Sequence, residues 1–335
     1  MNEKILDGLR QADWLQRDSV KAVFELLNGA GGQTKAVGGI VRNTLLGTET
    51  GDVDMASTFT PNEIIDRAEK AGVKSIPTGI EHGTVTLIVG GEAIEVTSLR
   101  KDINTNGRHA VVQFGGDWED DAKRRDFTFN ALYVGPNGDL LDPLGGLEDC
   151  LNREVRFIGD AKQRIKEDYL RILRFYRFFA FYGSGRPEAE GLRATVALKS
   201  GLDQLSPERV WQELKKLLSA PDPSRALLWM RTTGVLAAIL PEGEKWGIDA
   251  IHGVVAAEQD LNWPNDSMLR LRSILPPMAD KLVDLAKRLR LSNAEADQLQ
   301  KWAMVGLINM MTKPLEVLNK LINLVHGLMI MLHFH

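Results

Sequence analysis

Two carboxylates, Asp52 and Asp54, flank a valine in the run GDVDM at 51–55. In an extended strand alternate side chains share a face, so both acids would point the same way. Like charges that close repel each other unless a divalent cation lies between them. Hard oxygen donors suit Mg²⁺, which takes one or two protein carboxylates and leaves other positions to substrate phosphates. Two such ions about 3.5–4 Å apart could activate a hydroxyl and stabilise a leaving pyrophosphate. An isolated Asp-x-Asp is more often a solvated turn, so the preceding residues decide.

Those residues read VGGIVRNTLLG at 37–47. Gly38 and Gly39 stand between a short strand expected at 34–37 and a helix expected at 41–46. Glycine there lets backbone N–H groups approach a phosphate, and the helix N-terminus adds partial positive charge. Arg42, on the first turn, could grip the same phosphate. A lone Gly-Gly-x-x-Arg is commonly a plain turn; glycines, arginine and paired acids together read as one anion- and metal-binding site.

The surrounding pattern supplies elements to hold that site. Residues 17–29 read as an amphipathic helix ending at Asn28-Gly29, 53–55 as a strand, and 61–72 as a helix opened by Pro61 and closed by Gly72. GTVTLIVG at 83–90 and AIEVTSL at 93–99 form a hairpin signal around Gly90-Gly91. The polar run RKDINTNGRHA at 100–110 reads as a mobile loop. From about 160 onward the pattern is helical. KQRIKEDYLRILRFYRFFAFYG reads as one helix ending at Gly183, followed by three further helical segments. No fixed-period repeat or low-complexity tract interrupts the chain.

Composition bounds the function. A chain of 335 residues is long for one domain, and 44% hydrophobic residues can fill a substantial core. The formal net charge of -4 argues mildly against a nucleic-acid partner. Locally the sign reverses: between 151 and 177, Arg153, Arg156, Lys162, Arg164, Lys166, Arg171, Arg174 and Arg177 face four acidic residues. This strip could hold nucleotide phosphates or an RNA acceptor end. One cysteine, Cys150, can form neither an internal disulfide nor a zinc cluster, which fits a reducing cytoplasm. The first residues carry no apolar signal core, and no run is long enough to span a membrane. The histidines show no metal-ligand spacing.

Taken in order, the motifs resemble those of class II tRNA nucleotidyltransferases and bacterial poly(A) polymerases, of the polymerase-β-like nucleotidyltransferase superfamily. GGIVRNTLLG followed by GDVD resembles their head motif. AIEVTSLR at 93–100 resembles the strand carrying a third acid, here Glu95. KRRDFTFNAL at 123–132 resembles the ribose- and phosphate-binding motif. LDPLGGLEDCLNREVRFIGD at 141–160 resembles the head-to-neck segment, KEDYLRILRFYRF at 166–178 the base-selecting helix, and LSPERVWQEL at 205–214 the last neck motif. The resemblance covers about 20 to 220. It departs at Asn43, where the family usually has Asp, so an ion pair there is lost.

The resemblance implies an α+β fold: a nucleotidyltransferase head of mixed sheet and helices over 1–145, a helical neck over 146–220 and a helical body over 221–335. It implies catalytic Asp52, Asp54 and Glu95, with Asp52 and Asp54 holding Mg²⁺, two ions in all. Arg125 would bind phosphate, Asp126 would accept from a ribose hydroxyl, and Asn130 would support the site. The 100–110 loop, with Arg100, Asp102 and Arg108, resembles a loop that favours an enzyme able to add A.

Base choice follows from hydrogen-bond chemistry. On a helix, Asp168 and Arg171 share a face, and Glu167 lies one turn before Arg171. Arginine only donates and an ionised Asp only accepts. Cytosine and adenine each offer a matching acceptor and donor; uracil and guanine place an N–H against the arginine. The family implies these roles for Asp168 and Arg171, with Glu167 orienting the arginine. Arg174 and Arg177 could reach the triphosphate.

The expected activity is template-independent addition of CCA to tRNA 3′ ends from CTP and ATP, with no membrane, DNA or obligate protein partner. Poly(A) synthesis, CC-only or A-only addition, and an inactive RNA-binding remnant are the alternatives. The intact acidic pair argues against the remnant. The last segment, INMMTKPLEVLNKLINLVHGLMIMLHFH, does not resemble a family tail and reads as a truncated or frameshifted C-terminus.

Overall fold

The computed structural model describes residues 3–28, 33–106, 109–243 and 246–310. The expected altered tail lies almost wholly outside these residues. The chain divides into two compact units. One comprises Met1–Arg171 with Tyr182–Leu198; the other comprises Ile172–Phe181 with Lys199–His335.

The first unit is built on a seven-stranded mixed sheet in the order β3-β4-β5-β2-β1-β8-β9. The strands are β1 (Thr34–Val37), β2 (Asp54–Ser57), β3 (Lys74–Gly79), β4 (Thr84–Val89), β5 (Glu92–Ser98), β8 (Tyr133–Val134) and β9 (Leu140–Leu141). Only β2 and β5 pair in parallel; the other neighbours are antiparallel. The Gly90-Gly91 turn joins β4 to β5 as expected, with both glycines at positive φ. A core of Val37, Ala56, Leu99, Ala122, Ala131, Tyr133 and Ile158 lies against the sheet, with Trp118 packed beside it. The helix Pro61–Lys70 starts where its residues dictate. Thr60 accepts from Glu63 N–H, Glu63 accepts from Thr60 N–H, and Pro61 occupies the first turn.

Three expectations change. Within the 100–110 stretch, residues 100–106 and 109–110 are not loop but belong to a two-stranded ribbon, β6 (Arg100–Asn106) with β7 (His109–Phe114); Arg108 lies outside the described residues. The run HAVVQF has strand composition, but its partner is a polar segment with no strand signal of its own. Gly115 N–H donates to Leu99 C=O at 3.1 Å and closes the ribbon's base. Strand β3 appears where no strand was read; its exposed positions lack clear alternation. The long helix expected to end at Gly183 breaks into Ala161–Glu167 and Leu170–Tyr182. Asp168 adopts extended backbone with φ -154 and ψ 109. Its carboxylate accepts from Leu170 N–H at 3.1 Å, a competing local bond that favours a helix start over a helix interior.

Among its described residues the second unit is helical. Its interior holds a buried charge pair, Arg270 with Glu258, with side chains 1% and 2% exposed. Arg270 also donates to the carbonyls of Leu218 (2.6 Å), Ala220 and Pro221 (3.3 Å), which satisfies the end of the helix Pro207–Leu218 and the turn after it. A guanidinium fork can serve a carboxylate and several carbonyls at once. Replacing Arg270 by alanine would strand a buried carboxylate and orphan these carbonyls. Urea denaturation of Arg270→Ala should show a loss of about 3–5 kcal/mol in this unit; a loss below about 1 kcal/mol would contradict the assignment.

Candidate active site

The site begins with sheet register. Parallel pairing of β2 with β5 sets Asp54 opposite Glu95. Adjacent strands lie roughly 5 Å apart, so the two acidic residues are direct neighbours. Their flanking residues explain the orientation. Val53 and Met55 are buried beside Asp54, and Ile94 and Val96 are buried beside Glu95, which leaves both acids on the open face. Asp52 is also exposed, but it precedes the strand instead of lying within it. The expectation of one strand over 53–55 carrying both aspartates is therefore corrected: the strand starts at Asp54.

This crowding shows in the chemistry of Asp54. Burial by the surrounding walls, then the charge of Glu95, push its carboxyl from 3.8 up to about 6. Arg125 opposes the shift, and Asp52 adds the smallest contribution. Glu95 is thus the stronger electrostatic partner of Asp54. The oxygen donors, open face and mutual repulsion suit a hard divalent cation. Among the described residues no three His, Cys, Asp or Glu side chains cluster as a ready-made cage. A metal held by two carboxylates would complete its shell with water and phosphate, as Mg²⁺ does.

Asp54 and Glu95 open into a cleft of about 240 Å³. Thr84 and Thr97, hydrogen-bonded to each other at 3.0 Å, line it from β4 and β5. His82, Arg100, Arg124 and Arg125 complete its polar walls. Arg100 donates to the His82 carbonyl at 2.6 Å, so the ribbon's first residue is tied to the cleft wall.

The two adjacent arginines are held from behind. Asp121, on the helix Trp118–Lys123, is fully buried. It accepts from Arg124 Nε at 2.7 Å, from Arg125 Nε at 3.2 Å and Nη2 at 3.1 Å, and from Tyr133 OH at 2.7 Å. Burial works against its charge, but Arg125 and Arg124 outweigh that and hold its carboxyl below the ordinary range. Trp118 packs edge-on to Tyr133 at 5.2 Å between centroids and fixes the phenol. Asp121 was not singled out from sequence, although its spacing of three and four residues from Arg124 and Arg125 is a readable helical signal.

A second network takes up residues expected at the phosphates. Gly38 has φ +75 and ψ -122, a conformation that favours glycine, and a side chain there would approach Arg125 Nη1 at 3.7 Å. Gly39 opens the helix Gly39–Leu46. Arg42 is 5% exposed and is absent from the cleft lining. It donates to Asn130 Oδ1, to Asn43 Oδ1 at 2.9 Å and to Tyr182 OH at 2.8 Å, and lies 3.9 Å from the Tyr182 ring centre. Asn130 donates to buried Asp126 at 2.9 Å. Asn43 donates in turn to Glu49 C=O at 2.7 Å, a bond an ionised aspartate could not make. Asn43 thereby ties the arginine to the loop that leads to Asp52. Tyr182 carried no sequence signal.

Glu167 and Arg171 do meet, across the helix break, at 2.5 Å. Asp168 caps the break. Arg174 and Arg177 fall in the second unit. There Arg177 bonds buried Glu213 at 2.5 Å, and both arginines lie over Phe178.

The sequence profile of the poly(A) polymerase head domain matches residues 35–156, a range that holds both acids and both cleft arginines. A second profile, described as a probable RNA and SrmB-binding site of polymerase A, matches residues 187–246. The chain is 43% identical over 204 residues to the human mitochondrial CCA tRNA nucleotidyltransferase 1, covering 60% of the chain and 47% of that protein. It is 37% identical to a CCA-adding enzyme of Geobacillus thermodenitrificans over 65% of the chain and 53% of that protein. The chain thus spans about half the length of these curated relatives. The crystal structure of the Bacillus stearothermophilus CCA-adding enzyme with CTP is similar at 30% identity and TM-score 0.64, over 84% of this chain and 65% of that one.

The raised Asp54 has a measurable consequence. Its folded value, about 6, exceeds the unfolded 3.8, so the protonated form is favoured by folding. That contribution is fully present below 3.8 and is lost as pH rises through 6. Asp54→Asn, neutral at every pH, should therefore be the more stable protein at pH 8, by about 1 kcal/mol once screening at the open face is counted. The difference should vanish near pH 4. Chemical denaturation without divalent metal tests this; an equal difference at both pH values would refute it.

Proposed function

We propose that the chain is a template-independent RNA nucleotidyltransferase that adds C, C and A to tRNA 3′ ends. The observation that carries this is the Asp54–Glu95 pair facing Arg124 and Arg125 in one cleft, on a head domain whose relatives are named CCA-adding enzymes. In this reading 1–145 is the catalytic head, 146–220 the neck with the nucleotide-selecting helix, and 221–335 the body that holds tRNA.

The chemistry is the attack of a terminal 3′ hydroxyl oxygen on the α-phosphorus of CTP or ATP. The α–β phosphoanhydride bond breaks and pyrophosphate leaves. Asp52 and Asp54 would hold Mg²⁺, two ions in all, with Glu95 as the third acid. When bound, such ions lower the pKa of the attacking hydroxyl and neutralise charge on the leaving pyrophosphate. Arg125, with Arg124 beside it, offers fixed positive charge to the phosphates, and Asp121 keeps both aimed at the cleft. Asp126 and Asn130 are buried and bonded to each other, and Gly38 and Gly39 would give the backbone its close approach to phosphate.

Base choice falls to Asp168 and Arg171. Glu167 fixes the Arg171 guanidinium, so its N–H groups present a set pattern instead of a mobile charge. Cytosine and adenine offer acceptors to it; uracil and guanine offer an N–H. Arg174 and Arg177 extend the basic face of the same helix. The single buried thiol, Cys150, and the absence among the described residues of any helix long and apolar enough to cross a membrane fit a reducing compartment, which we take as the cytoplasm. The human relative's name places that protein in mitochondria instead.

Poly(A) synthesis is the second reading, favoured by the family's head-domain description. A tRNA transcript lacking its CCA end separates the two. With CTP, ATP and Mg²⁺, the expected product gains two C and one A, and Asp52→Ala/Asp54→Ala abolishes it. A long A tail would establish poly(A) synthesis; no incorporation by the intact protein would overturn both. Arg171→Ala should lower the preference for CTP over UTP on the order of 100-fold in kcat/KM. An unchanged ratio would remove Arg171 from base reading.

A further inference from the structure

Arg164 has no role in the reading above beyond its place in the basic strip. It sits on the helix Ala161–Glu167, with its side chain 11% exposed. Its Nη2 donates to the Arg124 carbonyl at 2.7 Å and to the Arg125 carbonyl. Its Nη1 donates to Glu167 Oε2, the oxygen that also accepts from Arg171 Nη1. The Arg164 carbonyl accepts from Arg171 Nη1 at 2.7 Å as well. One residue therefore holds the backbone of both cleft arginines, the carboxylate that orients Arg171, and Arg171 itself. All of these groups lie in the first compact unit.

The arrangement needs an arginine. A planar fork with five donors can bind two carbonyls on one branch and a carboxylate on the other. A lysine keeps the charge as a point and lacks the fork. Arg124 and Arg125 sit across a short backbone segment from any phosphate in the cleft, and Arg171 sits at the base-reading end. Glu167 and the two carbonyls thus share Arg164 as their common donor.

We propose that Arg164 is a positioning residue that couples base reading at Arg171 to phosphate binding at Arg124–Arg125, so that a matched base tightens the grip on the phosphates. This rests on the proposed nucleotide site. It adds a residue that touches neither base nor phosphate. Coupling of this kind is reciprocal and typically changes affinity about 5- to 150-fold.

The test uses the full chain, titration calorimetry and three probes: inorganic tripolyphosphate, which has no base, CTP and UTP. Arg164→Lys and Glu167→Gln are the variants. Glu167→Gln leaves the bonds from Arg164 to the carbonyls intact and weakens only the link to the base side. Arg164→Lys should bind tripolyphosphate about fivefold more weakly or worse, Glu167→Gln should bind it as the wild type does, and both should lose about tenfold of the preference for CTP over UTP. A variant that keeps the full preference for CTP over UTP, or an Arg164→Lys protein whose tripolyphosphate affinity is untouched, would overturn the coupling. A change in melting temperature alone would reduce Arg164 to a structural tie. If Arg164→Lys fails to fold, Glu167→Gln decides by itself. Wild-type protein with no preference for CTP over UTP would sink the base-reading assignment, and the coupling with it; variant failure against a selective wild type would sink the coupling alone.

Discussion

The parallel pairing of β2 with β5 brings Asp54 against Glu95, and the rest of the head answers that repulsion. Two carboxylates on one open face are unfavourable without compensating charge. Arg125 supplies part of it, and Arg124 lines the same cleft. They in turn need a carboxylate, and Asp121 supplies that from a fully buried position. Asp121 needs donors for its remaining lone pairs, and Tyr133, held by Trp118, donates one. Charge alternates outward from the cleft in shells, each satisfying the one before.

The glycine-rich turn and Arg42 play a different part from the one their types suggest. Arg42 is engaged by Asn130, Asn43 and Tyr182 and stacks on an aromatic ring. Desolvation lowers its pKa while Tyr182 works against that shift, yet guanidinium groups stay charged in proteins. A buried, always-charged group with several polar partners fixes its neighbours firmly. Here the neighbours are Asn130, which holds Asp126, and Asn43, which holds the approach to Asp52. The polar frame behind the cleft is as specific as the cleft itself. The helix break at Asp168 belongs to the same logic: a straight helix would bury that carboxylate's acceptor capacity in ladder competition, whereas the break lets it cap Leu170 and leaves Glu167 free to face Arg171.

The second unit shows how a helical region without a sheet obtains a fixed interior. Tyr176 shares a hydrogen bond with Thr233 at 2.9 Å, Arg177 pairs with Glu213, and Arg270 ties a carboxylate to three carbonyls. Each of these polar contacts is buried or partly buried, where a missing partner costs more than a present one contributes. Helices packed by aliphatic side chains alone can slide; helices pinned by such bonds cannot.

The sequence by itself determined the local elements and the chemical inventory. Thr60, Pro61 and Glu63 fix a helix start, Gly90-Gly91 fixes a hairpin turn, and β1 falls at 34–37 as its residues imply. Motif order suggested a head over the first 145 residues, because spacing within a motif is a local property. Only the tertiary structure decided that Glu95 outweighs Asp52 as the electrostatic partner of Asp54, since that depends on a pairing between strands about forty residues apart in the chain. It decided which arginines face the cleft and which are consumed by partners, since an arginine's exposure depends on what lies opposite. The partners of Asp121, Tyr182 and Arg164 came to light only there. The polar segment 100–106 became a strand only because a better strand folded back upon it. Propensity is read one residue at a time; partners and burial are not.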